Sequence, residues 1–207
     1  MTHASIEVAP GARHLPGYLD RAAQQALTEA LRAVVAAAPL FVPVMPRTGK
    51  PFSVRMTNCG RLGWVSDRGG YRYQPTHPDN GAPWPPIPPV ALAAWDDIGG
   101  FPAPPEACLI NFYSAEARMG PHQDRDEAEL DAPVVSLSLG DSCVFRVGAT
   151  TRGGPTRSII LQSGDAFVLA GPARLAFHGV DRIIGGSSTL LPNGGRINLT
   201  LRRVEKA

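Results

Sequence analysis

The stretch "VVSLSLGDSCVFRVG", residues 134–148, decides the fold. It contains two short apolar runs separated by the turn signal "LGDS". Short runs rich in β-branched and aromatic residues, bounded by Gly, Asp and Ser, are typical of strands joined by a tight turn. The stretch therefore predicts two consecutive β-strands.

Further segments on both sides repeat this pattern. They are "CLINFY" (108–113), "RSIILQ" (157–162), "DAFVLAG" (165–171), "LAFHGV" (175–180) and "RINLTLR" (196–202). Turn signals such as "TTRGGP" and "QSGD" lie between them. Seven short strands at this spacing predict an all-β barrel or sandwich from about residue 106 onward.

The first half of the chain has a different pattern. "DRAAQQALTEALRAVVAAAP" begins at Asp20, a candidate N-cap, and predicts an amphipathic helix that ends before Pro39. Residues 75–105 are crowded with proline and leave room only for a short helix around Val90 to Ile98. We expect residues 1–105 to form an extension with this helix and irregular strands, and residues 106–207 to form the β core of one compact unit.

Composition restricts the class of protein. The chain has 207 residues and a formal net charge of +2, which fits one compact domain. No apolar run approaches the roughly 18 residues of a membrane span, and the N-terminus lacks the layout of a signal peptide. Three widely spaced cysteines suit neither a disulfide framework nor a structural zinc site. We therefore expect a soluble cytoplasmic monomer with reduced, packed thiols.

Two of the five histidines fall in the predicted β core. His3 and His14 lie in a terminal segment that we expect to fray, and His77 lies in the proline-rich connector. The two that remain, His122 and His178, both lie next to glycine at strand edges, in "GPHQD" and "FHGV". These two are the candidates for chemistry.

The segment "MGPHQDRDE", residues 119–127, holds a candidate metal site. In an extended backbone, residues i and i+2 point to the same side, so His122 and Asp124 can converge on one point. Together with His178 they would offer two nitrogens and one oxygen with open positions, which suits non-heme Fe(II) oxygen chemistry and also zinc. The alternative is an acidic loop that contains a histidine by chance.

The last strand carries a polar face. In "RINLTLR" the side chains of Arg196, Asn198, Thr200 and Arg202 alternate with apolar ones. If this face is solvated, the strand is an ordinary amphipathic strand. If it points into a barrel, two guanidiniums need anions to offset their desolvation, and a small dicarboxylate would serve.

"CLINFY" has the same alternation. Its side chains at Leu109, Asn111 and Tyr113 share one face. Asn111 and Tyr113 could therefore donate hydrogen bonds to a ligand inside the barrel. The alternative is that they are buried and bonded to neighbouring backbone.

Residues 47–73 are basic and aromatic. Six cations stand against the single acid Asp67, and Trp64, Tyr71 and Tyr73 are interleaved with them. Positive charge beside aromatic faces is typical of grooves for single-stranded nucleic acid. A solvated hairpin with core aromatics has the same composition, so both interpretations stay open.

Taken together, the motifs resemble a known family. The ordered set "TNCGRLGW", "GYRY", "ACLINFY", "HQDRDE", "SLSLG", "FHG" and "RINLTLR" is similar to the AlkB family of Fe(II)- and 2-oxoglutarate-dependent dioxygenases. The similarity runs from about Arg55 to Arg202 and is greatest to the bacterial nucleic-acid repair branch. It implies a mainly β fold with flanking helices, in which a double-stranded β-helix (jelly-roll) core lies under an N-terminal nucleotide-recognition lid.

The resemblance also implies roles for individual residues. The iron ligands would be His122, Asp124 and His178. The residues holding 2-oxoglutarate would be Asn111, Tyr113, Arg196, Asn198 and Arg202, with Arg202 at the distal carboxylate. The substrate contacts would be Trp64, stacked on the target base opposite His122, Asp126 on an exocyclic amino group, Tyr71 and Tyr73 on the substrate strand, and Arg152 near the pocket. Glu127 is expected only as solvated charge.

The implied activity is oxidative demethylation of 1-methyladenine and 3-methylcytosine in single-stranded DNA, with RNA as a second candidate. O2 and 2-oxoglutarate would be consumed and succinate and formaldehyde released, as direct repair of alkylation damage. One alternative is a dioxygenase of the same family that acts on tRNA or protein. Another is a cupin-like metal-binding module without enzymatic activity, which leaves the arginines of the last strand unexplained.

Overall fold

The computed structural model describes residues 4–207 and is mainly β. Two α-helices lie in the first half of these residues, α1 (Arg21–Ala37) and α2 (Pro89–Ala94), and α2 continues into one π-helical turn, Trp95–Gly99. The strands are β1 (Ile6–Ala9), β2 (Ala12–Leu15), β3 (Arg55–Gly60), β4 (Gly63–Asp67), β5 (Gly70–Gln74), β6 (Ala107–Tyr113), β7 (Met119–His122), β8 (Val134–Gly140), β9 (Ser142–Gly148), β10 (Thr156–Leu161), β11 (Ala166–Leu169), β12 (His178–Ile184) and β13 (Arg196–Arg202).

Two antiparallel sheets form the core. The major sheet has the order β1-β2-β11-β8-β13-β6-β3, and the minor sheet has the order β10-β9-β12-β7. Strands β6 to β13 alternate between these sheets one by one, except that β9 and β10 both lie in the minor sheet, and this is the arrangement of a double-stranded β-helix. The predicted fold class is therefore confirmed. A separate hairpin, β4 with β5, carries the aromatic residues of the basic stretch.

Alternation along each strand divides the apolar residues into two layers. On β13, Leu199 and Leu201 point outward and belong to the same buried apolar cluster as Leu27 and Leu31 of α1. The inward face of the barrel packs a second layer that includes Phe145 and Phe167. The Asp20 side chain accepts a hydrogen bond from the Ala23 amide at 2.7 Å, so the predicted N-cap of α1 is confirmed.

The N-terminal half is built into the core sheet. Strand β3 pairs with β6 at one edge, and the β1–β2 pair adds to β11 at the other edge. The expected fraying of His14 is wrong, because His14 lies in β2 and its Nε2 is 2.8 Å from Asp165 Oδ2. His3 lies outside the described residues. The boundary at residues 105 and 106 stays a prediction.

Most predicted strands are present, and one is displaced. The predicted strand over 175–180 begins only at His178. Residues Gly171–Ala173 form a one-turn 3-10 helix, and the amides of Arg174 and Ala176 hydrogen-bond back to it, so the chain becomes extended only after this turn. The three cysteines are buried and unpaired, as expected. Within residues 4–207 the helices are too short or too polar to cross a bilayer.

Truncation of Leu199 tests the outward layer. Leu199 is fully buried in the middle of β13, so Leu199→Ala should lower the free energy of unfolding by about 2–5 kcal/mol through lost burial and a residual cavity. Urea denaturation followed by circular dichroism measures the change. The control is Ile160→Ala on the edge strand β10, where the side chain is 44% exposed and the expected change is within about 0.5 kcal/mol. Equal losses in the two variants would contradict this packing.

Candidate active site

Two paired strands of the minor sheet bring the candidate histidines together. His122 ends β7 and His178 begins β12, and the two residues face each other directly in the ladder. Their ring centroids are 4.5 Å apart. Gly179 permits this close approach, because a Cβ at that position would lie 2.5 Å from the Met119 carbonyl oxygen. The "FHG" motif therefore needs glycine at position 179, because a side chain there would clash with β7.

Asp124 completes the cluster. It lies just beyond β7, with Oδ1 3.8 Å from His122 Nε2 and Oδ2 3.7 Å from His178 Nε2. The three potential ligand atoms all lie within 4.8 Å of one another. The two nitrogens and one oxygen expected from the sequence thus converge on one point.

Backbone contacts orient both imidazoles. His122 Nδ1 is 3.0 Å from the Gly120 carbonyl oxygen, and His178 Nδ1 is 2.9 Å from that of Ala176. A carbonyl can only accept, so each Nδ1 carries the proton and each Nε2 presents its lone pair toward Asp124. This is how proteins orient histidine for metal ligation.

The electrostatics of the cluster suit a divalent cation. Burial alone would raise the pKa of the Asp124 carboxyl, but Arg202, His178 and His122 outweigh burial and hold that pKa well below its usual range. Burial and the neighbouring His122 lower the pKa of His178 to about 4. The site therefore offers an anionic carboxylate and a neutral imidazole at neutral pH. Asp124 Oδ2 is buried and accepts no hydrogen bond from the described residues, which leaves it for a metal.

The polar faces of β6 and β13 point into the barrel. Arg196 and Arg202 are 1% and 5% exposed, so the solvated-strand interpretation is wrong. Arg196 lies directly opposite Tyr113, and Asn198 lies directly opposite Asn111. Two cross-strand pairs thus place four of the five predicted 2-oxoglutarate residues on one wall of an open cavity of about 900 Å³.

The two arginines have different partners. Arg202 Nη2 lies 2.8 Å from Asp124 Oδ1, beside the candidate metal ligands. Arg196 has no acidic partner among the described residues, and its donors contact the Ser138 hydroxyl at 2.7 Å and two backbone carbonyls. The Arg202 guanidinium is thus engaged by Asp124 in this structure, and its position at the distal carboxylate stays a prediction.

Two polar atoms on the wall formed by β6 and β13 are available to a ligand. Within residues 4–207, Asn111 Oδ1 and Arg196 Nε are buried without a hydrogen-bond partner. A buried guanidinium without a counter-ion is costly, and a ligand carboxylate would satisfy it. Burial raises the pKa of the Tyr113 hydroxyl above its usual value, and the nearby positive charge of Arg196 opposes this rise. The residues present therefore fit a small dicarboxylate.

The predicted substrate residues border the same cavity, except for Tyr73. The cavity lining includes Trp64, Tyr71, Asp126 and Arg152. Tyr71 stacks on one face of Trp64, with ring centroids 5.6 Å apart and planes 18° apart. Trp64 Nε1 donates to Asp126 Oδ2 at 2.8 Å. Arg152 lies over the Phe177 ring, with its Cζ 5.2 Å from the centroid.

Tyr73 and Glu127 differ from the predictions. The Tyr73 hydroxyl turns inward, where it donates to Glu127 Oε1 and accepts from Arg202 Nη1 at 3.2 Å. The interpretation of Glu127 as solvated charge is wrong, because Glu127 is 6% exposed and its Oε2 is 3.0 Å from Arg174 Nη2. Glu127 therefore lines the cavity and pairs with Arg174 instead of facing solvent, whereas Tyr73 lies outside the cavity lining.

Two residues near the site were missed from the sequence. Arg174 donates to the backbone oxygens of Asp124 and Ala132, and Gln123 Nε2 donates to those of Leu175 and Thr150. Their partners are carbonyls of distant loops, so no spacing in the sequence indicates these bonds. A glutamine between two metal ligands was the one available signal.

The basic stretch of residues 47–73 is partly neutralised within the molecule. Arg72 pairs with Asp67 at 2.7 Å, and Arg61 pairs with Glu106 and Glu205. Arg55 lies over the Phe112 ring. Lys50 remains at the cavity lining. The positive charge that this region offers to a nucleic acid is therefore smaller than its six cations suggest.

The fold and the site define a class of enzyme. Residues 11–202 match the 2OG-Fe(II) oxygenase superfamily, and His122, Asp124 and His178 are placed as its Fe(II) triad. The protein is thus an Fe(II)- and 2-oxoglutarate-dependent dioxygenase. Within this class, the chain belongs to the AlkB family.

Relatives cover nearly the whole chain. The chain is 55% identical over 202 residues to the alpha-ketoglutarate-dependent dioxygenase AlkB homolog of Caulobacter vibrioides, covering 98% of this chain and 91% of that one. It is 38% identical over 208 residues to the alpha-ketoglutarate-dependent dioxygenase AlkB of Escherichia coli, covering 96% and 93%. The solved structure of OsALKBH1 superimposes with a TM-score of 0.80 at 27% identity, covering 97% of this chain and all of that chain.

Removal of the anionic ligand tests the metal cluster. Asp124→Asn keeps the side-chain shape but removes the charge, so we expect the affinity for Mn(II) or Fe(II) to fall by more than about 100-fold, beyond the loss seen for residues that only support a ligand. Anaerobic calorimetry measures the dissociation constant. Asp126→Asn, in the same loop but outside the cluster, should bind metal like the wild type. A similar loss in both variants would contradict the assignment.

Proposed function

We propose that the protein removes methyl groups from 1-methyladenine and 3-methylcytosine in single-stranded DNA, with RNA as a second substrate, as direct repair of alkylation damage. One observation carries this proposal: the stacked pair Trp64 and Tyr71 borders the same cavity as the triad. Aromatic faces beside a deep cavity suit a base that has been extruded from its strand. The relationship to the AlkB proteins supports a nucleic-acid substrate.

The triad and the arginine wall would hold the two cofactors. His122, Asp124 and His178 would hold the Fe(II) through two imidazole nitrogens and one carboxylate. We assign the distal carboxylate of 2-oxoglutarate to Arg196, because this guanidinium is buried and has no acidic partner among the described residues. Asn111, Tyr113 and Asn198 would complete the pocket from the same wall. Arg202 would orient Asp124 through their 2.8 Å ion pair.

The protein's part in the reaction is binding, orientation and exclusion of water. When bound, Fe(II) and 2-oxoglutarate supply the activation of O2 that oxidises a substrate C–H bond, with release of succinate and CO2. A methyl group on a base nitrogen becomes hydroxymethyl, and this group leaves as formaldehyde to restore the base. The face of Trp64 opposite Tyr71 would hold the base, and Asp126 Oδ1 would accept from its exocyclic amino group.

The substrate preference has a physical reason. A base must leave the stack before it can enter the cavity, and extrusion costs least from a single strand or for a base that cannot pair. Methylation at N1 of adenine or N3 of cytosine blocks pairing. Lys50 and Arg152 at the cavity lining would contact the phosphates that flank the base.

A direct assay tests the proposed activity. The protein is incubated with Fe(II), 2-oxoglutarate, O2 and a single-stranded oligonucleotide that carries one 3-methylcytosine, and the product is weighed by mass spectrometry. The expected product has lost one CH2 and is accompanied by equimolar succinate. Trp64→Ala should lower kcat/KM for the oligonucleotide by about tenfold or more, because base stacking contributes about 1–3 kcal/mol. Full activity in Trp64→Ala would favour a different methylated target, and bound iron without turnover of 2-oxoglutarate would favour a metal-binding module.

The assignment of Arg196 has its own test. Arg196→Met removes the charge but keeps an unbranched side chain, and the KM for 2-oxoglutarate should rise by about 10- to 100-fold, which corresponds to one charge-assisted hydrogen-bonded contact. Steady-state kinetics with varied 2-oxoglutarate measures this change. The matched control is Arg146→Met on β9, which pairs with Asp181 outside the cavity and should leave the KM unchanged. An unchanged KM in Arg196→Met would contradict the assignment.

A further inference from the structure

Glu127 joins three separate elements at the lining of the cavity. Its Oε2 pairs with Arg174 at 3.0 Å, and its Oε1 accepts from the Tyr73 hydroxyl of β5. The same Oε1 is 3.5 Å from Arg202 Nε on β13. One carboxylate therefore contacts the β4–β5 hairpin, the core sheet and the segment that leads to His178.

Arg174 fixes the loop in which Glu127 lies. Its guanidinium donates to the Asp124 carbonyl oxygen at 2.6 Å and its Nε to that of Ala132 at 2.7 Å. These contacts hold both ends of the loop of residues 124–132, and Glu127 holds its middle. The loop carries a metal ligand, Asp124, and the proposed base contact, Asp126.

The group forms a closed network of buried charge. Asp124, Glu127, Arg174 and Arg202 are each at most 7% exposed, and they comprise two acids and two bases. Charges so deeply buried are retained only when paired and hydrogen-bonded. Removing one member leaves an uncompensated charge, so the members do not act independently.

The network leads from the hairpin to the metal cluster. The Tyr73 hydroxyl is bonded to Arg202 Nη1, and Arg202 Nη2 is bonded to Asp124 Oδ1. A cation held by the free Oδ2 of Asp124 would compete for the negative charge of this carboxylate and would weaken its ion pair with Arg202 at Oδ1. Arg202 would then depend more on Tyr73 and Glu127, which would hold the hairpin more firmly against the core.

We propose that Glu127 is a positioning residue that couples the metal site to the β4–β5 hairpin, so that loading of the metal site strengthens binding of the single strand. The proposal rests on the nucleic-acid function proposed above, because the hairpin carries Trp64 and Tyr71. Binding coupling of this kind is reciprocal, so the bound strand must also strengthen metal binding by the same factor.

The chain offers a matched control. Glu129 lies in the same loop, is also 6% exposed and accepts backbone hydrogen bonds, but it faces the C-terminal residues Lys206 and Ala207. Glu129→Gln therefore removes an equally buried charge from the same loop without touching the network. A general loss of loop stability would affect both variants alike.

The test measures binding without turnover. The dissociation constant of the 3-methylcytosine oligonucleotide is determined by fluorescence anisotropy with 2-oxoglutarate, in the presence of Mn(II) and in the presence of a chelator. In the wild type and in Glu129→Gln, Mn(II) should tighten binding by at least about fivefold. In Glu127→Gln this ratio should fall close to one. Tyr73→Phe, which removes only the hydroxyl, should lower the ratio in the same way.

The outcomes separate the two proposals. A wild-type protein that neither binds nor demethylates the oligonucleotide overturns the proposed function and the coupling with it. A wild type that demethylates but binds equally well with and without Mn(II) overturns only the coupling. If Mn(II) tightens oligonucleotide binding as much in Glu127→Gln as in the wild type, the role of Glu127 is overturned. If Glu127→Gln does not fold, as judged by circular dichroism, Tyr73→Phe decides in its place.

Discussion

Two arginines on the last strand face the interior of the barrel, and the rest of the site depends on how their charge is compensated. Arg196 and Arg202 are almost completely buried, which is unfavourable for a guanidinium without a nearby anion. Arg202 is compensated by Asp124, and the acid is thereby kept ionised for a metal. Arg196 has only neutral partners among the described residues, so it is left for an anionic ligand. One strand thus prepares one position for a metal and another for a dicarboxylate.

Strand pairing brings the residues of the site together in space. The minor sheet places His122 opposite His178, and the major sheet places Arg196 opposite Tyr113 and Asn198 opposite Asn111. Both sets face the same cavity because side chains alternate along a strand. The paired strands support the candidate ligands, while the proposed recognition residues lie on the β4–β5 hairpin and on loops.

The sequence was sufficient where a short-range rule governs the structure. Alternation in "RINLTLR" and "CLINFY" assigned the correct faces, and the i, i+2 rule placed His122 beside Asp124. It was insufficient where a contact depends on distant loops. Glu127 follows the exposed Asp126 in sequence, and nothing local indicates that its carboxylate is buried against Arg174. The contact of Arg202 with Asp124 was likewise not indicated by the sequence, because it depends on how the loop after β7 folds back.

We conclude that polar side chains of β6, β7, β12 and β13, together with Asp124 in the loop after β7, form a site for one divalent metal and one dicarboxylate. The most direct measurement is a crystal structure of the complex with Mn(II) and 2-oxoglutarate, with the metal located by its anomalous signal. We expect the metal between Nε2 of His122, Nε2 of His178 and the Asp124 carboxylate, and the distal carboxylate of 2-oxoglutarate on Arg196. A metal at another position, or a distal carboxylate bound by Arg202 with Arg196 still lacking an anion, would contradict the account.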